Sequence, residues 1–292
     1  MILNIIFVIF FIICVFFTLV LFIYFLVRHR LKFDPADKNI NKIVIYGDVR
    51  SSYKMHNHIA NMIKKENPDM ILFTGDIASN SHNFLHYLIF SIIENKLWKK
   101  CEYFPVRGNH EAEIHHYQIF LDLPKNKTYY SFDRMGMHFI VLDVIDESLH
   151  TELITWLKDD LEKNKNKNIS VGLHYPLFTS GKYYPYQAPY LLELFDKYNV
   201  MFVFSAHVHS YERLIYKKTN YIVTAGGGAP LYPASIENKY KVCRVNDHHY
   251  CVMTRNDKDE YTIKVIDKDG SKIDEVTSSK AEITAGKLCT DI

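Results

Sequence analysis

Short apolar runs alternate with helix-favouring stretches along most of this 292-residue chain, and this alternation limits the folds available to it. Four to six β-favouring residues bounded by turn residues are typical of buried strands. Strands that alternate with helices predict an α/β fold with a largely parallel sheet. The predicted strands are 42–46, 70–73, 102–106, 129–132, 137–142, 169–173, 200–204, 221–224, 250–255 and 261–266. The predicted helices are 51–66, 83–99, 147–164 and 187–198.

Polar side chains follow five of the predicted strands directly. They are Asp48, Asp76, Asn109 with His110, His174, and His207 with His209. A single Gly-Asp pair or His-x-His usually belongs to an ordinary turn or surface loop. Ligands in α/β folds gather at the carboxyl ends of strands, so five such ends together predict one shared site.

Carboxylates, an amide oxygen and imidazoles form a mixed oxygen and nitrogen donor set. Such a set suits iron, manganese or zinc rather than calcium or a thiolate-bound metal. Glycine precedes Asp48, Asp76 and Asn109, where it lets the backbone turn sharply beside a ligand. The sequence therefore predicts a metal centre at the strand ends.

Two motifs carry a resemblance to a known family: Gly108-Asn109-His110-Glu111 and His207-Val208-His209-Ser210-Tyr211-Glu212-Arg213. With Gly47-Asp48, Gly75-Asp76 and His174, they resemble the catalytic domain of the calcineurin-like metallophosphoesterase superfamily, and within it the purple acid phosphatase branch. The resemblance implies a four-layer α-β-β-α sandwich with two divalent metal ions at strand ends.

The resemblance also implies roles for individual residues. It assigns the metal ligands as a bridging Asp76, a first site of Asp48 and His209, and a second site of Asn109, His174 and His207. His110 resembles the histidine that contacts phosphate and donates a proton to the leaving group, a role that suits an imidazole near neutral pH. Two cations, of Fe, Mn or Zn, would neutralise the phosphoryl oxygens and activate a bound water or hydroxide for in-line attack.

The first metal site departs from the family pattern at two positions. Arg50 stands where many members have a histidine, and a guanidinium cannot bind a metal because it stays protonated. Ser79 stands where purple acid phosphatases have the tyrosine that gives their colour. We therefore expect a weaker first site, and a protein that is not purple. Arg50 either contacts the substrate phosphate or forms a structural salt bridge.

The leading functional prediction is a metallophosphoesterase, an acid phosphatase-like hydrolase acting on a phosphate-ester substrate, more readily a monoester than a diester. The alternative is a degenerate domain that binds a phospholigand or a partner without turnover. A third reading treats the polar strand ends as ordinary turns. With 35 basic and 33 acidic side chains, the chain gives no reason to expect nucleic acid as a partner.

The N-terminus carries an almost uninterrupted apolar run over 2–27, long enough to cross a bilayer. Basic residues follow it at once, namely Arg28, His29, Arg30 and Lys32. The positive-inside rule therefore predicts a single-pass membrane protein with a cytoplasmic domain, although export remains an alternative because the family is often exported. The expected organisation is an anchor at 1–28, a linker at 29–41, a catalytic domain at 42–270 and a polar tail at 271–292.

Several smaller features stay open at the level of sequence. The five cysteines include no Cys-x-x-Cys pair, which excludes zinc-finger and thioredoxin-type sites, but Cys243 and Cys251 could pair across a hairpin. The glycines of 225–230 predict a flexible turn rather than a phosphate loop. Four tyrosines either line a substrate cleft or pack in the core: Tyr183, Tyr184, Tyr186 and Tyr190.

Overall fold

Two β-sheets lie face to face, and helices cover the outer surface of each. The structure is a computed structural model that describes residues 2–28, 40–124, 127–183 and 185–279. The α-helices are α1 (Ile2–Val27), α2 (Tyr53–Glu66), α3 (Phe84–Trp98), α4 (Ile114–Phe120), α5 (His150–Asn164) and α6 (Pro189–Lys197). Short 3-10 helices lie at Asn109–Glu111 and Glu147–Leu149.

The strands divide between a six-stranded and a seven-stranded sheet. They are β1 (Lys42–Tyr46), β2 (Met70–Phe73), β3 (Glu102–Pro105), β4 (Tyr130–Arg134), β5 (Met137–Val141), β6 (Asn168–Gly172), β7 (Phe202–Ser205), β8 (Tyr211–Tyr216), β9 (Thr219–Thr224), β10 (Lys241–Val245), β11 (His249–Arg255), β12 (Tyr261–Asp267) and β13 (Lys272–Ser278). The strand orders are β13-β12-β11-β1-β2-β3 and β10-β8-β9-β7-β6-β5-β4.

Three apolar clusters hold the layers together. The central cluster lies between the sheets and includes Ile45, Leu72 and Phe204, all fully buried. A second cluster joins the six-stranded sheet to α2, α3 and α4, and a third joins the seven-stranded sheet to α5 and α6. Burial of apolar surface on both faces of each sheet stabilises the sandwich. The predicted four-layer α-β-β-α architecture is therefore confirmed.

The prediction of a largely parallel arrangement holds for only part of each sheet, at the β3 edge of the six-stranded sheet and in the centre of the seven-stranded sheet. Strands β1, β2 and β3 pair in parallel, as do β5, β6, β7 and β9. The remaining pairs are antiparallel, because short turns join strands such as β8 to β9 and β11 to β12. The strands that lead into the predicted ligands, β1, β2, β3, β6 and β7, all belong to these parallel pairs.

The prediction of a polar tail from residue 271 is wrong for residues 272–278. These residues form β13, which pairs antiparallel with β12 at the edge of the six-stranded sheet. The segment buries Asp274, Val276 and Ser278, and Ile273 packs against the central cluster. Residues 280–292 lie outside the described residues.

Helix α1 is long and apolar enough to cross a membrane over Asn4–Val27, with a mean hydropathy of 3.4, and an N-terminal signal sequence would pass the same test. Its C-terminal end packs on the α3 and α4 layer, where the Tyr24 hydroxyl donates to the Ile119 carbonyl at 3.0 Å. Most of the predicted linker, residues 29–39, lies outside the described residues. Cys251 is a free, buried cysteine, so it does not pair with Cys243.

Candidate metal centre

The six predicted metal ligands meet at one edge of the sandwich, where the parallel strands of both sheets end. The six-stranded sheet supplies Asp48 after β1, Asp76 after β2 and Asn109 after β3. The seven-stranded sheet supplies His174 after β6, and His207 and His209 after β7. Neighbouring parallel strands bring their carboxyl ends together, so residues up to 161 positions apart share one pocket.

Four of these ligands have a left-handed backbone conformation that residues other than glycine seldom adopt. The φ angles are +55° at Asp48, +63° at Asp76, +72° at His207 and +47° at His209. Such backbone costs free energy and clusters at functional sites, where the surrounding structure holds it in place. In this protein it folds each loop back over the sheet edge and aims the side chains inward.

Close backbone approach explains Gly75 and Gly108, which precede Asp76 and Asn109. Gly75 has φ of +99°, and a Cβ atom there would lie 2.8 Å from both the Gly108 nitrogen and His174 Nδ1. A Cβ atom on Gly108 would lie 2.4 Å from the Asp76 nitrogen. Glycine is needed at both positions because the β2 and β3 loops are in direct contact.

Nitrogen and oxygen lone pairs converge on the second of the two implied sites. His174 Nδ1 donates to the Thr74 carbonyl at 2.8 Å, which leaves Nε2 of the neutral ring unprotonated. This Nε2 lies 3.0 Å from Asn109 Oδ1 and 3.3 Å from Asp76 Oδ1. His207 Nδ1 lies 2.9 Å from the same Asn109 oxygen. With His207 Nδ1 and His174 Nε2 both unprotonated, these three side chains would present their lone pairs to one cation.

The pocket's electrostatics also suit a cation. Burial lowers the pKa of His207 to about 3, with a further contribution from His174, so this ring is neutral and able to act as a ligand. Burial disfavours a charged His174, but the carboxylates of Asp76 and Asp48 outweigh it and raise the pKa of His174. Two buried carboxylates therefore attract positive charge into a site lined with imidazoles.

The first implied site contains Asp48, Asp76 and His209, whose ligand atoms lie within 4.8 Å of one another. His209 Nδ1 donates to the Pro230 carbonyl at 2.5 Å, so its Nε2 faces the pocket, 3.2 Å from Asp48 Oδ1. That Asp48 oxygen is buried and accepts no hydrogen bond from the residues that the structure describes. The donor set and the orphaned oxygen fit a divalent metal, if the position is open to one.

Arg50 places its guanidinium group against this first set. Its Nε lies 3.2 Å from Asp76 Oδ2, and its Nη2 lies 3.3 Å from His209 Nε2. The side chain keeps 16% of its surface exposed, whereas Asp76 keeps 1%. Arg50 thus forms the salt bridge that the sequence left open, and part of its side chain stays exposed to solvent.

His110 lies at the rim of the pocket, with 27% of its side chain exposed. Its backbone N–H donates to Asp76 Oδ1 at 3.0 Å, and its Nδ1 donates to the Ser79 carbonyl at 3.1 Å. The Ser79 bond holds the ring through Nδ1 and leaves Nε2 as its other hydrogen-bonding atom. Nε2 lies 3.9 Å from Asp76 Oδ2, beside the ligand set.

Glu111 organises the backbone behind the ligands, a role that the sequence analysis did not assign. Its fully buried carboxylate accepts N–H groups from Gly108, Asp76, Ile77 and Ala78, at 3.0, 2.9, 2.9 and 3.3 Å. Burial, followed by the nearby Asp76 carboxylate, raises the pKa of Glu111 to about 7. The carboxylate joins the β2 loop to the β3 loop. The sequence feature that could have pointed to Glu111 is its position directly after Asn109-His110 in the motif.

The motif residues after His209 support the fold and do not face the ligands. Arg213 donates from Nε to Asp274 Oδ2 at 2.7 Å, and the Tyr211 hydroxyl donates to the same oxygen at 2.7 Å. Glu212 accepts the Ser180 backbone N–H at 2.6 Å and pairs with Arg244. These contacts connect β8 to β13 of the other sheet and to β10.

The glycines at 225–230 form a buried, hydrogen-bonded loop, so the prediction of a flexible turn is wrong. The Gly227 N–H donates to the Gly47 carbonyl at 2.8 Å, and the Ala229 N–H donates to the Asp48 carbonyl at 2.7 Å. A Cβ atom on Gly227 would lie 2.5 Å from the Gly47 oxygen. The loop therefore buttresses the backbone that carries Asp48.

Aromatic rings surround the two neighbouring histidines. Tyr175 and Tyr183 lie 4.7 and 4.9 Å from the His207 ring, and Tyr183 is 37% exposed. Tyr232 stacks on His209 at 4.3 Å with an interplanar angle of 11°. Of the other predicted cleft tyrosines, Tyr186 packs near Tyr175 and Tyr190 near His150, while Tyr184 lies outside the described residues.

Comparisons with known proteins agree with this geometry. The family model for calcineurin-like phosphoesterases matches residues 41–211. Purple acid phosphatase 15 of Arabidopsis thaliana is 26% identical over 217 residues, covering 59% of this chain and 40% of that protein. Phosphoenolpyruvate phosphatase of Allium cepa is 24% identical over 224 residues, covering 64% of this chain and 45% of that protein. The chain thus spans less than half the length of these relatives.

Solved structures show the same fold. The purple acid phosphatase PPD1 from yellow lupin (Lupinus luteus) superposes with a TM-score of 0.75 at 18% identity, covering 89% of this chain and 58% of that one. GAP50, described as the anchor in the inner membrane complex of Plasmodium, superposes with a TM-score of 0.66 at 17% identity, covering 86% and 91%. With a family model matching more than half of its residues, the chain belongs to the calcineurin-like phosphoesterase family, in its purple acid phosphatase-like branch.

Proposed function

We propose that this protein is a metal-dependent hydrolase of phosphate esters, acting mainly on phosphomonoesters. The observation that carries the proposal is the convergence of ligand atoms from Asn109, His174 and His207 beside the Asp76 carboxylate. An amide oxygen, two imidazoles and a carboxylate that meet at strand ends form a donor set that divalent iron, manganese or zinc binds.

Each ligand has a place in the proposed centre. Asp76 presents its two carboxylate oxygens in different directions, Oδ1 toward His174 and Oδ2 toward Arg50, which would allow it to bridge the two positions. The proposed ligands are Asn109, His174 and His207 for the second position and Asp48 and His209 for the first. A bound Fe, Mn or Zn ion would neutralise phosphoryl oxygens and activate a water molecule for in-line attack.

Two further side chains act on the substrate directly in this proposal. The exposed edge of Arg50 donates hydrogen bonds to phosphoryl oxygens, for which its planar fork is well shaped. His110 donates the proton on Nε2 to the departing ester oxygen, while its Nδ1 stays bonded to Ser79. Both groups lie next to Asp76 and reach the mouth of the pocket.

We also propose that α1 anchors the protein in a membrane as a single span. The apolar window over Asn4–Val27 supports the span, and the basic residues that follow it support a cytoplasmic catalytic domain. Residues 29–41 then act as the linker. The catalytic domain begins at β1 and includes β13.

Hydrolysis by the full chain in detergent tests the proposal. The protein is loaded with Mn²⁺, Fe²⁺ or Zn²⁺ and assayed on an alkyl phosphate and on a nitrophenyl phosphate. Asn109→Ala abolishes turnover on both. His110→Ala lowers kcat by about 10²- to 10⁴-fold on the alkyl phosphate and less on the nitrophenyl ester, whose leaving group needs little protonation. His115→Ala, at the exposed neighbouring histidine, leaves both rates unchanged.

The same assay separates hydrolysis from binding alone. A protein that binds metal and phosphate but turns over neither ester with any of the three metals would be a degenerate member of the family that binds a phospholigand or partner. Equal loss on the two esters in His110→Ala would remove His110 from the general-acid role.

A further inference from the structure

The guanidinium group of Arg50 lies where a first metal ion would bind. Three groups define that position, and Arg50 contacts two of them, Asp76 Oδ2 at 3.2 Å and His209 Nε2 at 3.3 Å. The third group, Asp48, has its ligand atom within 4.8 Å of the other two. A space this small does not hold both a metal ion and a guanidinium group.

Arg50 and a metal ion in the first position would both use the same lone pair, that of His209 Nε2. His209 Nδ1 must carry a proton, because it lies 2.5 Å from a carbonyl oxygen that only accepts. In the neutral ring, Nε2 then offers one lone pair, and Arg50 Nη2 donates to it. A metal ion in the first position needs the same lone pair, so Arg50 and the ion compete for it.

Charge makes Arg50 a chemically reasonable substitute for an ion. Asp48 and Asp76 are almost fully buried, and buried carboxylates are costly without a positive partner. A guanidinium supplies that charge permanently, because it does not lose its proton in proteins. The left-handed backbone at Asp48 and Ser51 turns the intervening loop so that Arg50 points back into the pocket.

The neighbouring serines accommodate this arrangement. Arg50 Nη1 lies 3.5 Å from Ser51 Oγ, and Ser51 Oγ lies 2.9 Å from Ser79 Oγ. Ser79 replaces the tyrosine that the family pattern places here, so the position loses a ligand while Arg50 gains room. Arg50 and Ser79, the two departures of this sequence from its family, are therefore linked through Ser51. Each stands where the family pattern has a ligand of the first metal.

We propose that Arg50 is a built-in cation that replaces the first metal ion, so that each chain binds one divalent ion, at Asp76, Asn109, His174 and His207. This rests on the proposed metal-dependent function and specifies its centre. A substrate phosphate would then lie between one metal ion and the Arg50 fork, instead of between two metal ions.

Metal stoichiometry tests the proposal without reference to turnover. Full-length protein in detergent is saturated with Mn²⁺, freed of unbound metal, and analysed by elemental analysis and electron paramagnetic resonance. The wild type is expected to hold one ion per chain and to give the spectrum of an isolated Mn²⁺. Arg50→His, which restores the family's histidine, is expected to hold two ions with a spin-coupled spectrum. Arg255→His, at a partly exposed arginine outside the pocket, is the matched control and holds one.

Two other variants keep the test decisive if Arg50→His fails to fold, as judged by circular dichroism. Arg50→Lys retains the positive charge and is expected to hold one ion. Arg50→Ala vacates the position and is expected to bind a second ion more weakly than the first. Without metal, Arg50→Ala is also expected to melt at a lower temperature than wild type. Excess Mn²⁺ is expected to reduce this difference in melting temperature.

The outcomes separate this inference from the proposed function. Two tightly bound ions in the wild type, none in the wild type, or one in both Arg50→His and Arg50→Ala would each overturn the role of Arg50. One ion in wild type and two in Arg50→His, with no hydrolysis of any ester, would support the role of Arg50 and refute the hydrolase.

Discussion

The two sides of the metal centre are built from the same sheet edge, yet they differ in what their lone pairs meet. On one side, which we call the Asn109 side, ring nitrogens of His174 and His207 lie within 3.0 Å of the Asn109 side-chain oxygen. On the other, the Arg50 side, His209 Nε2 already accepts a hydrogen bond from Arg50. Ligand residues in the right places do not by themselves make a metal site, because the position they surround must also be free of a competing cation.

The supports behind the two sides differ as well. The Asn109 side rests on Glu111, whose carboxylate collects four backbone N–H groups from two loops. The Arg50 side rests on the buried glycine loop that contacts Gly47 and Asp48, and on Tyr232 stacked against His209. One side therefore depends on a single buried side chain, Glu111, and the other on contacts spread over a loop. Substitutions on the two sides are expected to differ in their effects on stability and metal affinity.

The largest expected difference is between His207→Ala and His209→Ala. His207→Ala removes a ligand of the occupied position and is expected to weaken Mn²⁺ binding by more than about 100-fold, since loss of an outer-shell partner alone costs about 10- to 100-fold. His209→Ala is expected to change Mn²⁺ affinity by less than about 10-fold, because Arg50 stands in front of that imidazole. Calorimetric titration measures both. Equal losses would mean that the two sides bind metal alike.

An intermediate effect is expected from Glu111→Gln. The amide replaces one acceptor oxygen with an NH₂ group that faces backbone N–H donors, so at least one buried donor loses its partner. Unfolding in urea is expected to show a loss of about 1–3 kcal/mol. Mn²⁺ affinity is expected to fall about 10- to 100-fold, because Asp76 and Asn109 lose a common support. Glu113→Gln, at an exposed neighbour, is the control. Unchanged Mn²⁺ affinity in Glu111→Gln would show that Glu111 supports only the fold.

Sequence alone predicted which polar residues meet at the sheet edge, because each follows a strand whose apolar pattern is local. Asp48, Asp76 and His174 need only the strand before them to be recognised. The sequence could not show that Arg213 pairs with Asp274, since these residues lie 61 positions apart on different sheets. Strand β8 contains Glu212 and Arg213, both fully buried, and charged residues conceal a strand unless their partners are known.

The competition between Arg50 and metal was only partly visible for the same reason. The sequence showed that Arg50 cannot be a ligand, but the bond to His209 depends on left-handed backbone at Asp48 and Ser51 and on β1 lying near β7 across the two sheets. The polar pattern of β13 likewise resembled a tail because five of its seven residues are polar. The Arg50–His209 contact and the β13 strand both depend on pairing between segments that are distant in the sequence, and a local sequence pattern does not contain that information.

The smallest expected effect separates the aromatic supports of the two histidines. Tyr175 meets the His207 ring edge to face, and Tyr232 stacks on His209. Aromatic pairs contribute about 0.5–1.5 kcal/mol, so Tyr175→Leu is expected to weaken Mn²⁺ binding by about 2- to 12-fold. Tyr232→Leu removes a contact of similar strength, but from a histidine that holds Arg50 instead of metal. Its cost should therefore be seen in unfolding experiments, with Mn²⁺ affinity changed by less than about 2-fold. If Tyr232→Leu weakened metal binding as much as Tyr175→Leu, His209 would be a metal ligand in the resting protein, and the asymmetry between the two sides would be lost.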